Sequence, residues 1–228
     1  MRGRPDSDRR RDSVTIWIFA AMVLAACAAP APDGGRPTPL GEALTADSVP
    51  AGFGTLRQDE ITISLRSGDL LIKVTPLYEP LVRLTAPDTY ERLRRIRESE
   101  EEQLLLQAGG TPTKMFYVSF FTYQPNVTFQ PEDLHLFSLG LRYRPMAIVP
   151  ITQGWGAQRL DQRETQSALY AFDGVVSLDT VLEVQYAGIR GLGWDRVLVK
   201  LEAERSRVRA RASRGTGWIP GDGLRLSP

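Results

Sequence analysis

From about residue 55 onward the chain alternates apolar and polar positions with a period of two, the pattern of half-buried β-strands. Ile61, Ile63 and Leu65 oppose Thr62, Ser64 and Arg66, and Ser67-Gly68-Asp69 is a turn signal. Leu70 to Leu77 then returns as the second arm of a hairpin. Met115 to Tyr123 reads M-F-Y-V-S-F-F-T-Y, aromatic and β-branched nearly throughout, and predicts the strongest strand. Gln124-Pro125-Asn126 marks a turn, and further strands are expected at 127–129, 134–143, 146–152, 167–172 and 180–186. Val197, Val199 and Leu201 continue the alternation, which shifts phase near Glu204 and resumes at Val208. A strand is expected over 195–212, with a helix over the same residues as the alternative.

One segment breaks this rhythm. Tyr90, Leu93 and Ile96 recur at helical spacing, Leu104 to Leu106 return to the same face, and Gly109-Gly110 is a stop signal. Asp88 with Glu91 three residues on predicts a capping box, so a helix is expected over about 88–108. Its remaining surface carries Arg92, Arg94, Arg95, Arg97, Glu98, Glu100, Glu101 and Glu102. Some seven to nine short strands, with turn signals every ~8–12 residues, favour an antiparallel β-sandwich over a parallel sheet. The expected class is therefore mainly β, with one inserted α-helix.

The N-terminus follows different rules. Residues 1–13 carry five arginines against three aspartates, and the apolar run from Val14 to Ala26 is thirteen residues long. A spanning helix needs roughly 20 apolar residues, so the run is too short for one. A basic start, a short apolar stretch and small residues before a cut describe a secretory signal. The run ends in Leu24-Ala25-Ala26-Cys27, and Cys27 is the only cysteine in the chain. From Ala28 to about Gly54 the sequence is rich in Pro and Gly with few apolar residues, which predicts a tether. The expected organisation is a signal segment at 1–26, a tether at 27–54, a β domain at 55–212 and a loose tail at 213–228.

Leu24, Ala25, Ala26 and Cys27 resemble the lipobox of bacterial lipoproteins. The resemblance implies cleavage before Cys27, diacylglycerol on its sulfur, and a mature protein held in the cell envelope outside the cytoplasmic membrane. Ala28 lacks the aspartate that often retains lipoproteins in the inner membrane, so the outer membrane is expected where a host has two. More than one acyl chain is needed for stable anchoring. The succession 129–134, 148–151 and 170–172 resembles, in rhythm, immunoglobulin-like domains of extracytoplasmic lipoproteins, which implies an immunoglobulin-like sandwich.

Charge adds an exclusion. Removal of residues 1–26 leaves 23 basic and 24 acidic residues, a formal charge of −1, with no basic patch suited to nucleic acid. With Cys27 lipidated no cysteine remains for a disulfide, so stability must come from a core.

Candidate chemistry is sparse. His135 is the sole histidine and sits in the alternating segment Leu134-His135-Leu136-Phe137, where a structural histidine with a local hydrogen-bond partner is expected. Asp59/Glu60, Glu132/Asp133 and Asp161/Glu164 are expected to be solvated turn residues. Asp173-Gly174 and Asp222-Gly223 lack the spacing of an EF-hand loop. No cofactor, metal or catalytic residue is expected. Trp155, between Gly154 and Gly156, and Trp194, after Gly193, are the candidate ligand contacts for a sugar ring or an apolar patch. Arg92, Arg95, Glu98 and Glu101 on the helix are the candidate docking residues for an envelope protein. The functional expectation is a non-enzymatic, lipid-anchored module that binds a protein partner, with a saccharide or peptidoglycan-like polymer as the alternative ligand.

Overall fold

The computed structural model describes residues 49–215. The expected signal segment, Cys27, the tether as far as residue 48 and the tail from 216 onward lie outside the described residues.

The domain is mainly β, with every strand pair antiparallel among the described residues. A five-stranded sheet has the order β1-β2-β3-β9-β7, formed by β1 (Ile63–Ser67), β2 (Leu70–Pro76), β3 (Thr113–Thr122), β9 (Thr165–Asp173) and β7 (Ala147–Pro150). A four-stranded sheet has the order β11-β10-β5-β6, from β11 (Ile189–Gly191), β10 (Leu182–Tyr186), β5 (Leu134–Ser138) and β6 (Leu141–Tyr143). β4 (Val127–Thr128) and β8 (Arg159–Leu160) form a small separate pair.

Period-two patterning explains the core. Phe116, Val118 and Phe120 of β3 are fully buried, while Tyr117, Ser119 and Phe121 between them face the other side and stay half-buried. Phe120 stacks on Phe129 with ring centroids 4.7 Å apart and meets Tyr186 of the four-stranded sheet at 5.6 Å. The sheets come closest where β11 passes β1. A Cβ on Gly191 would stand 2.9 Å from Leu65 Cβ, so glycine is required there.

Most expected strands are present with shifted ends. The expected single strand 134–143 is instead a hairpin, broken at Leu139 and Gly140, both with positive φ. β9 is buried on both faces, consistent with its apolar run from Ala168 to Phe172, although Gln166 and Ser167 are buried too. The four-stranded sheet lies over one face, and the long helix α2 packs against β9 and β7 on the other.

The helices correct the expectation of a single insertion. α1 (Glu79–Val82) is one short turn, and α2 (Pro87–Gln107) is the expected charged helix. α2 starts at Pro87 after Ala86, with no side-chain cap, so Asp88 is a first-turn residue beside the helix dipole rather than the N-cap. Its end is as expected. Gly109 N–H donates to Leu106 O, and Gly110 N–H donates to Leu105 O at 2.9 Å, closing a Schellman motif.

α3 (Trp194–Gly215) replaces the strand expected over 195–212. Its buried positions are Trp194, Val197, Leu201, Glu204, Arg205 and Val208, a helical spacing, while Val199 is exposed. The apolar stripe is interrupted by Glu204 and Arg205, which the core side of the helix accepts because each has a charged partner.

The domain also begins earlier than residue 55. Val49 is buried and its carbonyl accepts from Arg83 Nη1 at 3.3 Å. Leu56 N–H donates to Leu84 O, and Ala86 N–H donates to Leu56 O at 2.9 Å. A Cβ on Gly54 would stand 2.3 Å from the Leu84 carbonyl, so the chain passes the α1–α2 link too closely for any side chain.

Candidate functional site

α2 covers the outer face of the five-stranded sheet only over β9 and β7. Over β2 and β3 that face stays open. Its floor carries Lys73 opposite Ser119 and Leu71 opposite Phe121, with Thr165 on the far side of Phe121. Tyr117 of β3 and Tyr123, just past its end, extend this row, and Tyr123 is exposed. Gln58 and Asp59 from a 3-10 turn (Gln58–Ile61) and Arg92 from α2 form the walls. The resulting groove has a volume of about 390 Å³.

A directed chain of hydrogen bonds fixes its walls. Arg92 Nη2 donates to Gln58 Oε1 at 2.7 Å, which orients the amide so that Gln58 Nε2 donates to Thr75 Oγ1 at 3.1 Å. Thr62 Oγ1 donates to Gln58 O at 2.7 Å. Each hydroxyl has a single hydrogen, so Thr75 must be the donor in its 2.7 Å contact with Thr62. Lys73 Nζ pairs with Asp59 Oδ1 at 2.7 Å across the mouth. The groove thus combines aromatic faces with a fixed cation, an ion pair and a hydroxyl. It offers stacking area and oriented polar contacts, without a nucleophile–base pair.

The expected docking residues divide. Arg92 belongs to the groove, and Arg95 is exposed on the same side of α2, its Nε donating to Glu91 O. Glu98 turns away to Arg94 at 3.7 Å, and Glu101 pairs with Arg97 at 4.0 Å beside a separate depression that includes Glu79. The charged run is therefore not one surface. Part of it is structural, since Glu79 accepts from Arg83, Tyr90 and Arg97 at 2.8–2.9 Å and locks α2 to α1. Burial pushes the Glu79 carboxyl up, but hydrogen bonds from Arg83 and Tyr90 and the nearby arginine charges bring it below the usual range.

Neither expected tryptophan contact is available. Trp155 is 7% exposed, with its ring edge-on to Phe120 and Phe129 at 5.8 and 5.1 Å. Gly154, at φ 89°, turns the loop so that the indole points inward. Trp194 is fully buried, and its Nε1 donates to Leu178 O at 2.9 Å. Gly154 and Gly193, both at positive φ, serve backbone turns rather than exposing the rings.

His135 has the local hydrogen-bond partner expected of it. Its Nε2 lies 2.9 Å from Arg142 Nη2, and Arg can only donate, so the proton sits on Nδ1 and is shared with Asp133 O at 2.8 Å. Burial, with the charges of Arg142 and Arg144, lowers its pKa and favours the neutral ring. Glu132 and Asp133 lie in a short turn (Pro131–Asp133), and the Glu164 carboxylate closes another by accepting from the Asp161 N–H. Among the described residues no group of three or more His, Cys, Asp or Glu could hold a metal ion. No helix among them is long and apolar enough to cross a membrane.

The groove was not singled out from sequence, although its signal was present. Period-two spacing puts Tyr117, Ser119 and Phe121 on one face of a strand whose other face is the core. What sequence alone could not place was α2, which leaves this half of the sheet open. No protein-family model, curated protein or solved structure matches this chain.

Proposed function

We propose that this chain is a lipid-anchored protein of the cell envelope, non-enzymatic, which binds a protein partner through the groove on its five-stranded sheet. The observation that carries the reading is the open half of that sheet, where Tyr117, Phe121 and Tyr123 line one groove with Arg92 and the Asp59–Lys73 pair. Aromatic residues and arginine are the side chains enriched at the centres of protein interfaces. A standard interface buries about 800 Å² per partner, so the groove would be its centre and the exposed Arg95 side of α2 part of its rim. Anchoring through Cys27 would raise the local concentration of partners at the same membrane. For the fold we propose a two-sheet sandwich of the immunoglobulin-like kind, in which the contact between Phe120 and Tyr186 joins the two sheets.

A photo-reactive residue at position 123, crosslinked in cells, tests this reading. One dominant protein adduct is expected, falling at least tenfold when Lys73 and Arg92 are reversed in charge and the melting temperature is unchanged. A probe at Val175, exposed near the far end of β9, should not capture it. In the same cells Cys27→Ser is expected to move the protein from the membrane to the soluble fraction. Equal labelling at positions 123 and 175 would overturn the groove assignment. The exposed ring of Tyr123 beside Phe121 also suits stacking on a sugar. Co-sedimentation with cell-wall polymer, abolished by Phe121→Ser, would establish the saccharide reading instead.

A further inference from the structure

The lining of the sheet groove is specific in shape. Tyr117, Ser119 and Phe121 share the outer face of β3, and strand rise sets the Cα atoms of the two aromatic residues about 13 Å apart. The small Ser119 lies between them, and Lys73 borders the same gap, directly opposite Ser119 on β2. This makes a slot with a ring on either side and a hydroxyl on its floor. Just past the end of β3, the rings of Phe121 and Tyr123 meet at 89° with centroids 4.6 Å apart. The exposed Tyr123 ring therefore offers a second apolar surface, at right angles to Phe121.

The lining is also one-sided in its hydrogen bonding. Two of its acceptors are taken: Gln58 Oε1 accepts from Arg92, and Asp59 Oδ1 accepts from Lys73. The donors are in surplus. Arg92 and Lys73 keep further N–H groups, and the hydroxyls of Tyr117, Ser119 and Tyr123 have no partner among the described residues. These groups can be reached. Tyr117 and Ser119 are half-buried and their hydroxyls are not sealed, while Arg92 and Tyr123 are exposed. The complementary ligand is rich in acceptors, poor in donors and carries ring-sized apolar groups. An ordinary extended segment brings one N–H per residue. β2 and β3 are interior strands, so those groups would find no free sheet edge to join. A sugar ring brings hydroxyl donors. Proline brings a carbonyl, a compact apolar ring and no N–H. Proline-rich segments hold the polyproline II form, whose carbonyls make no internal hydrogen bonds.

Taking the groove as the binding face, we propose that the partner presents a proline-rich segment in polyproline II form. One proline ring enters the slot over Ser119 between Tyr117 and Phe121, and another packs on Tyr123. Carbonyls of the segment accept from Arg92 and the tyrosine hydroxyls.

The test is NMR titration of the isotope-labelled full chain with a ten-residue oligoproline, with a Gly-Ser peptide of equal length and an oligoglutamate as controls. Saturable shifts centred on residues 117–123 are expected, at least tenfold tighter for oligoproline than for either control. Ser119→Phe fills the slot and should weaken oligoproline at least tenfold. Tyr123→Ala changes an exposed residue, keeps the melting temperature, and should weaken it at least threefold. Oligoproline that binds no better than the Gly-Ser peptide, or that binds the Tyr123→Ala chain as well as the native one, would overturn the assignment. Tighter oligoglutamate would overturn it in favour of an acidic ligand. The in-cell crosslink at position 123 separates the two levels. A protein adduct mapped by mass spectrometry to a segment without proline would overturn the proline chemistry and leave the groove as the binding face, whereas equal labelling at positions 123 and 175 would remove both.

Discussion

Trp194→Ala is expected to destabilise the domain by about 3–5 kcal/mol, the usual cost of truncating a buried Trp. For a chain of this size that corresponds to a fall in melting temperature of roughly 6–20 °C. The indole is fully buried at the first turn of α3, and its N–H satisfies the Leu178 carbonyl. Truncation leaves a cavity and an unpaired acceptor together. Trp194→Phe separates the two contributions: most of the apolar body returns, and the remaining deficit, about 1–3 kcal/mol, reports the orphaned carbonyl. Denaturant unfolding monitored by far-UV circular dichroism measures both variants. A loss below 1 kcal/mol for the alanine variant would mean that α3 is not docked as described, and that Trp194 is free to make the ligand contact its sequence context suggested.

The two tryptophans also show where sequence reading stops. Glycine beside an aromatic residue reads as exposure when only the chain is visible, because small neighbours leave both ring faces open. In the fold, Gly154 provides the positive φ that turns Trp155 inward onto Phe120 and Phe129. Composition cannot distinguish those outcomes, since the destination of the ring depends on what lies opposite. β3 was legible because its run of aromatic and β-branched residues is a local signal, and the hairpin of β1 and β2 was legible because alternation and a turn signal are local too. The end of α2 could be read from Gly109 and Gly110, while its start shifted because Pro87 at the first position serves without a side-chain cap.

α3 was misassigned for a physical reason. Its core-facing stripe contains Glu204 and Arg205, so apolar residues at helical spacing become too sparse to outweigh the alternation at 197, 199 and 201. Those charges are tolerated inside because Glu202 and Arg211 on the same helix pair with them and because of one partner that the sequence does not announce. Thr55 lies 149 residues away from Glu204. The groove shares this limit: the face of β3 is readable, but its exposure depends on α2 covering β7 and β9 and stopping there.

Glu204→Gln is expected to cost about 3 kcal/mol at pH 7, the scale for breaking a buried charge pair by removing one partner. Glu204 Oε1 accepts from Thr55 N at 3.0 Å, from Thr55 Oγ1 at 2.8 Å and from Arg211 Nη1 at 2.9 Å, with Arg207 3.5 Å from the other oxygen. Arg211 also donates to the Phe53 carbonyl, so one carboxylate and one guanidinium clamp α3 onto the segment where the tether joins the domain. Burial raises the carboxyl pKa, but the hydrogen bonds from Arg211 and Thr55 and the Arg211 charge outweigh it, so the folded value lies below the ordinary 4.5. A carboxyl depressed in the folded state contributes stability above its unfolded pKa and loses it as pH falls through the folded value. The gap between the native chain and the Gln variant should therefore be constant above about pH 5.5 and narrow steadily below about pH 4.5. Glu79 is depressed as well, so the Gln variant should keep part of the acid sensitivity. Urea unfolding at pH 7 and at low pH measures the two gaps. A gap that does not change with pH would mean that Glu204 acts through shape alone, and that the junction between α3 and the tether is not held by charge.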